Sequence, residues 1–356
     1  SFRTGTVTRI LEDRAGLQRV EVDLGEGPER AYVLTQLTGT VAQGHRVIVN
    51  TTAVELGLGT GGWHVVHWNL EMAAWTSRSS GHIVKARYTS LQHDVGSAEE
   101  HWTELTDVVS VGAMPVVAAA LHSQLPAVVT AIKHDSPDAR VAYVMTDGAA
   151  LPLALSDLAH QLHQQHLIDA TITCGHAFGG DYEAVSVHSA LAVARHVAHA
   201  DIAVVVMGPG IVGTATRLGF SGIEVAPVLD AAAALEAVPI ACLRASFADP
   251  RERHRGVSHH TATALGIAVR SRVLVALPSV GGPEEKQLRD DLAASGIDHR
   301  HDVIAVDPGD VLALLAAHGI EVVSMGRAAA EDPIMFACAA AAGRLAVLRM
   351  PAAPTP

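Results

Sequence analysis

The chain has 356 residues, 49% of them hydrophobic, with 37 acidic against 25 basic side chains and a formal net charge of −12. That length and composition allow two domains around a sizeable core and exclude long polar disorder. The charge argues against general affinity for nucleic acid or anionic membrane, and no apolar run reaches the roughly 18 residues that a membrane span needs. The opening SFRTGTVTRI has no apolar stretch, so neither a signal nor a transit peptide is expected, and a soluble cytoplasmic protein is. Cys174, Cys242 and Cys338 lie in apolar runs without C-x-x-C spacing, which predicts buried thiols in a reducing compartment. Only three of the basic residues are lysines, so arginine abundance reflects coding bias before function. The 21 histidines invite a metal reading, but His160, His163 and His166 share one helical segment and read as surface positions.

Residues 1–95 read as β structure. TGTVTRI, LQRVEVDL, RAYVLTQL and RVIVN are short, rich in β-branched residues and separated by turn residues; WHVVHWNL follows the glycine-rich GLGTGG. Five such strands predict a small barrel of the OB or SH3-like sort. Basic and aromatic residues do not interleave as base stacking would require, so the barrel is expected to be a structural or homo-oligomerising appendage. Residues 81–110 form a connector with one strand in GHIVKARYTSL.

From 112 to 350 strands alternate with helices. The predicted strands are 116–121, 140–146, 170–174, 202–207, 240–246, 272–277, 302–306 and 321–325; PLALSDLAHQLHQQH and SVHSALAVARHVAH are of helical length. Near-continuous apolar strands between helices predict an α/β (Rossmann-like) domain, with a doubly wound, mostly parallel sheet covered on both faces. The final PAAPTP, 351–356, reads as a disordered tail.

Ligands of such sheets bind beyond the strands' carboxyl ends, and that is where the polar residues collect. The strand 202–207 is followed by Gly208-Pro209-Gly210-Ile211-Val212-Gly213, a literal G-x-G-x-x-G, then Thr214. A dinucleotide turn is disfavoured: Pro209 removes an N–H, GFSG cuts the following helix short, and the acid at the right spacing, Asp230, falls in a helix. NAD(P) is therefore not expected. A simpler phosphate or carboxylate cradle at a helix N-terminus, or glycines serving backbone geometry alone, remain. GHAFGGDYEAVSV places His176, Asp181 and Glu183 in one loop, with Ser186 as helix cap. Imidazole and carboxylate suit either a divalent metal or metal-free acid–base chemistry, with Asp147 as the partner from a neighbouring loop. DPRERHRGVSHHT is basic in an acidic protein; Arg253 and Arg255 suit an anion, Ser258 caps a helix, and of His259 and His260 only one is expected to face a site, since successive helical residues diverge by about 100°. This run is expected beside the glycine turn. No nucleophile elbow or Walker A motif is present.

The blocks GLGTGGWHVVHWNL, YVMTDGAALPLALSDL, TCGHAFGGDYEAVSV, VVMGPGIVGT and ADPRERHRGVSHHTATAL together resemble a bacterial domain-of-unknown-function family, number 3866, over nearly the whole chain. The resemblance implies a soluble bacterial protein and supplies no catalytic residues.

The residues themselves predict an enzyme that binds a small anionic metabolite. Gly208, Gly210, Gly213 and Thr214 would cradle it, Arg253 and Arg255 would pair with it, and His176 or His259 would act as acid or base, oriented by Asp147, Asp181 or Glu183. The alternatives are a metal-dependent hydrolase using His176, Asp181 and His259, and a non-catalytic ligand sensor or assembly protein.

Overall fold

A computed structural model describes residues 1–58, 61–77 and 79–351, so part of the GLGTGG turn and all of the expected tail after Pro351 lie outside the described residues. The chain divides into two compact units, one of Ser1–Gly96 with Pro152–Leu155, the other of Ser97–Leu151 with Ser156–Pro356.

In the first unit β1 (Phe2–Arg14), β2 (Leu17–Asp23), β3 (Pro28–Leu34), β4 (Arg46–Asn50) and β5 (Trp63–Asn69) close a barrel in the order β1-β2-β3-β5-β4, with β3 and β5 parallel. This is the OB type of the two that the sequence allowed. Alternation makes it possible: Val7, Val20, Val22, Ala31, Val33, Val47, Val49 and Val66 point inward and are buried. The long β1 reaches both β2 and β4 because two register shifts, between Val7 and Arg9 and between Ile10 and Glu12, bend it. Two single-turn helices, α1 (Thr35–Thr38) and α2 (Thr52–Glu55), and the strand pair β6 (Val84–Lys85) and β7 (His93–Asp94) complete the unit.

The second unit is an eight-stranded, wholly parallel sheet. Its strands are β8 (Pro115–Ala119), β9 (Val141–Thr146), β10 (Ala170–Thr173), β11 (Tyr182–Glu183), β12 (Ile202–Met207), β13 (Val238–Cys242), β16 (Leu274–Pro278) and β17 (Asp302–Val306), in the order β11-β10-β9-β12-β8-β13-β16-β17. The hairpin pairs β14 (Ala245–Ser246) with β15 (Gly256–Val257) and β18 (Val323–Ser324) with β19 (Arg327–Ala328) stand apart from it. The helices are α3 (Leu125–Asp135), α4 (Asp157–Gln164), α5 (Val187–His196), α6 (Val225–Ala234), α7 (His259–Thr263), α8 (Gly282–Ala294), α9 (Ile297–Arg300), α10 (Val311–Ala317) and α11 (Pro333–Leu348).

Both faces of the sheet are covered. α3, α10 and α11 pack together, while α5 and α6 form a second packed pair. The alanine-rich α11 approaches α3 so closely that a Cβ on Gly343 would stand 2.3 Å from the Val128 carbonyl oxygen. Such contact explains why the central strands read as unbroken apolar runs: β8, β9 and β12 are buried at every residue.

Two expectations are corrected. The stretch 321–325 is not a sheet strand; Val323–Ser324 pairs only with Arg327–Ala328, and the eighth place in the sheet goes to Tyr182–Glu183 beside β10. An apolar pattern alone does not reveal whether an edge is free to receive it. The helix expected over PLALSDLAHQLHQQH starts only at Asp157, because Ser156 accepts from the Ala159 N–H and sets its cap there. Among the described residues no helix is long and apolar enough to cross a membrane.

Candidate functional site

β12 and β13 flank β8, so the chains leaving these two strands meet over its end. The chain leaving β12 does not enter a helix after Gly213. It makes a loop closed by a Gly213–Phe220 bridge, and α6 starts only at Val225. The helix-terminus argument for an anion cradle at GPGIVG therefore fails. The three glycines have separate duties: Gly208 lets the Ala150 carbonyl oxygen approach, Gly210 takes φ +99°, and Gly213 leaves room for Phe220 and the His260 ring. Gly208 and Gly210 line a cavity of about 370 Å³ together with His122 and Asp157. The Thr214 hydroxyl is spent inside the loop, on Thr216 and the Gly219 carbonyl.

The chain leaving β13 is pinned by the β14–β15 hairpin, which pinches residues 247–255 into a loop. Arg251 forks onto Asp249 at 2.9 and 2.8 Å, and Arg327 reaches both Asp249 and Asp332, so the loop rests on an ionic base. The fork holds the Asp249 carboxyl far below the usual carboxylate range. Asp291 on α8 accepts from the Val257 N–H; Ser258 then caps α7.

This scaffold brings together His254, His259 and His260. Their ring centroids lie 4.3, 4.8 and 4.9 Å apart, and one ligand atom from each lies within 4.8 Å of the others, which is compatible with holding a metal ion. Both histidines of α7 face the site, against the expectation that one would. They stand in the first turn, where side chains tilt toward the helix N-terminus and so converge beyond it. Phe220 stacks flat on His260 at 3.8 Å and sets its plane.

The hydrogen-bond partners decide the tautomers. Arg244, 3% exposed and without an ion-pair partner among the described residues, places Nη1 2.7 Å from His260 Nδ1. A guanidinium can only donate, so His260 Nδ1 accepts and its ring proton sits on Nε2. Ser258 Oγ accepts from the His260 backbone N–H and lies 2.7 Å from His254 Nδ1, its one other partner. The buried hydroxyl proton has no other acceptor among the described residues; leaving it unbonded would cost about 1–3 kcal/mol. Ser258 therefore donates to His254 Nδ1, and His254 also carries its proton on Nε2. Neither Nε2 has a protein partner among the described residues, and His259 Nε2 is buried and unbonded.

Electrostatics keep these rings neutral. Burial, then the Arg244 charge, pulls His254 and His260 down to about 3. His259 is lowered by burial and by Arg253. Arg244 itself falls only to about 10, so it stays charged at neutral pH. An open cleft of about 710 Å³ runs past His259, lined by Arg217, Arg253 and Arg255 with apolar Ile267 and Ala262.

Among the other expected site residues, Asp181 accepts from the Thr171 N–H and hydroxyl at 2.8 and 2.9 Å. Glu183 accepts from Thr173 Oγ1 and the Gly179 N–H at 2.7 and 2.6 Å. Asp147 accepts from the His176 N–H and lies so close to Gly175, at φ +65°, that a Cβ there would be 2.4 Å from its carboxylate. Asp147 and His176 thus meet, but neither joins His259 in a metal-ligating group; among the described residues such a group is formed by His254, His259 and His260.

Three groups were given no role from the sequence, although His122 stands just after the strand predicted over 116–121. Arg244 was visible as a lone charge inside the apolar run IACLRAS. His122, pushed by burial down to about 4, bonds Ser156 Oγ at 2.7 Å. Glu224, just before α6, bonds the Thr146 hydroxyl and is raised to about 7 by burial, with Asp147 adding to the rise.

The family model described as a protein of unknown function (DUF3866) matches residues 30–343, most of the chain. The chain belongs to this family. A search of curated proteins matched none. The matched span covers the whole parallel sheet and every residue of the histidine–arginine cluster.

Proposed function

We propose that this member of the DUF3866 family is an enzyme acting on a small anionic metabolite bound at the histidine–arginine cluster. His254 and His260 donate to the anion through Nε2–H, Arg244 supplies charge from behind them, and Arg253 and Arg255 receive the part of the ligand that extends into the cleft. His259 is the acid–base group, since its Nε2 has no partner among the described residues. The observation that carries this reading is the pair of buried rings whose Nδ1 atoms are engaged by Arg244 and Ser258, beside a buried arginine with no carboxylate partner among the described residues. A buried cation without a counter-ion is costly, and a bound anion removes that cost.

Native mass spectrometry of freshly purified protein, with thermal shift against a panel of phosphates and carboxylates, tests it. Wild type should retain or be stabilised by an anion, and an Arg253→Ala/Arg255→Ala protein should lose about ten-fold in affinity, as for one charge-assisted hydrogen bond. Equal binding by both proteins would sink the proposal.

A second reading rests on the convergence of the three rings. A divalent metal held by His254, His259 and His260 would make this a metal-dependent hydrolase, with His176 and Asp181 outside the ligand set. It requires the ring protons of His254 and His260 to leave Nε2, giving up the Ser258 and Arg244 contacts as they stand. Elemental analysis of protein purified without added metal separates the two: stoichiometric zinc or manganese supports the hydrolase, and a metal-free protein that still binds anions rules it out.

A further inference from the structure

We propose that the anion is the phosphoryl group of a small phosphate monoester, seated on the Nε2 atoms of His254 and His260 with the Arg244 charge behind them and its organic part in the arginine-lined cleft. This rests on the anion-binding reading above and narrows it.

The argument is one of direction. A carboxylate is planar, its lone pairs lie in one plane, and a single guanidinium fork satisfies them. The rings that carry the donors at this site do not share a plane. The His254 and His260 rings are inclined at 89° to one another and His259 at 48° and 61° to them, with Arg244 behind His260. Donors from several directions fit the three terminal oxygens of a tetrahedral phosphoryl group. Charge agrees: Arg253 and Arg255, which line the cleft, have no ion-pair partner among the described residues, whereas Asp249 is already committed to Arg251 and Arg327. Size agrees too. A cleft of about 710 Å³ is far larger than an inorganic ion, and Ile267, Ala262 and Ala294 give its wall an apolar part that suits a carbon skeleton. Glu252 and Asp291 also stand on that wall, and Asp291 is spent on the Val257 N–H and Gln287.

The test is calorimetric titration of the full chain, with a chelator present, using inorganic phosphate, glycerol phosphate and malonate as probes. The expected result is that phosphate binds, glycerol phosphate binds more tightly, and malonate binds at least about ten-fold more weakly than phosphate, the equivalent of one charged hydrogen bond. Arg244→Gln should lower phosphate affinity by a similar factor. Because Arg244 is buried and its loss destabilises the fold around it, His259→Gln and Arg253→Ala, both at the cleft, serve as the second set. They should weaken glycerol phosphate while leaving the melting temperature unchanged. Nitrogen NMR of the imidazoles in the unliganded wild type gives a readout independent of any variant: His254 and His260 should both be neutral Nε2–H tautomers. Malonate binding without phosphate binding overturns the monoester and leaves the anion reading intact. Failure of both anions overturns both, and an Nδ1–H tautomer at His254 or His260 removes the donor geometry on which the monoester rests.

Discussion

Two loops leave the carboxyl edge of the same sheet with comparable stocks of ionisable groups, and they use them in opposite ways. In the loop after β10 the acids are consumed by their own surroundings: Asp181 holds Thr171, and Glu183 holds Thr173 and Gly179. In the loop after β13 the acid Asp249 is consumed likewise, but the Nε2 atoms of His254, His259 and His260 are left without protein partners among the described residues. A side chain whose every bond is made by the fold stabilises the fold. One held by its far end, with its near end unbonded by the fold, contributes less to stability and leaves that nitrogen available to a ligand.

That contrast can be broken by mutation, and the largest effect is expected on the side that serves stability. Glu183→Ala removes a buried carboxylate that accepts from the Thr173 hydroxyl and the Gly179 N–H. It should cost about 2–4 kcal/mol in denaturant unfolding, with anion affinity of the remaining folded protein unchanged. A loss of affinity at unchanged stability would reassign Glu183 to the site.

Glu224 tests a mixed case. Its folded pKa is raised to about 7, so as pH climbs from the ordinary carboxyl value to about 7 the unfolded chain releases a proton that the folded one keeps. Folding stability therefore falls across that window, by roughly 3 kcal/mol, and stays lowered above it. Glu224→Gln should flatten the slope between about pH 4.5 and 7 and stabilise the neutral protein; an unaltered pH–stability profile would mean the carboxyl is ordinary.

The smallest stability effect is expected at His259. Its Nε2 bonds nothing among the described residues, so His259→Ala loses only ring packing and should move unfolding by about 1 kcal/mol or less. Turnover, once a substrate is identified, should be lost by about two to four orders of magnitude, as for removal of a general acid or base. A large stability loss with activity retained would place His259 with the structural acids instead.

Much of the fold was legible in the chain. Alternating apolar residues announce the barrel, unbroken apolar runs announce the parallel sheet, and Ser186 and Ser258 cap the helices that the sequence assigns to them. Periodicity and caps are local, so local reading suffices. The neighbourhood of the glycine turn and the basic loop was legible as well: Gly213 does abut His260. Other decisions belong to the tertiary structure alone. Residue type showed that Asp181, Glu183 and His259 can ionise; only packing showed which of them keeps a nitrogen or oxygen unbonded. Nor does any spacing rule predict that Arg244 would reach across 16 residues to His260 Nδ1, or that Ser258 would turn His254. The position of a proton on an imidazole depends on what touches its other nitrogen, and that contact exists only once strand, hairpin and helix have come together.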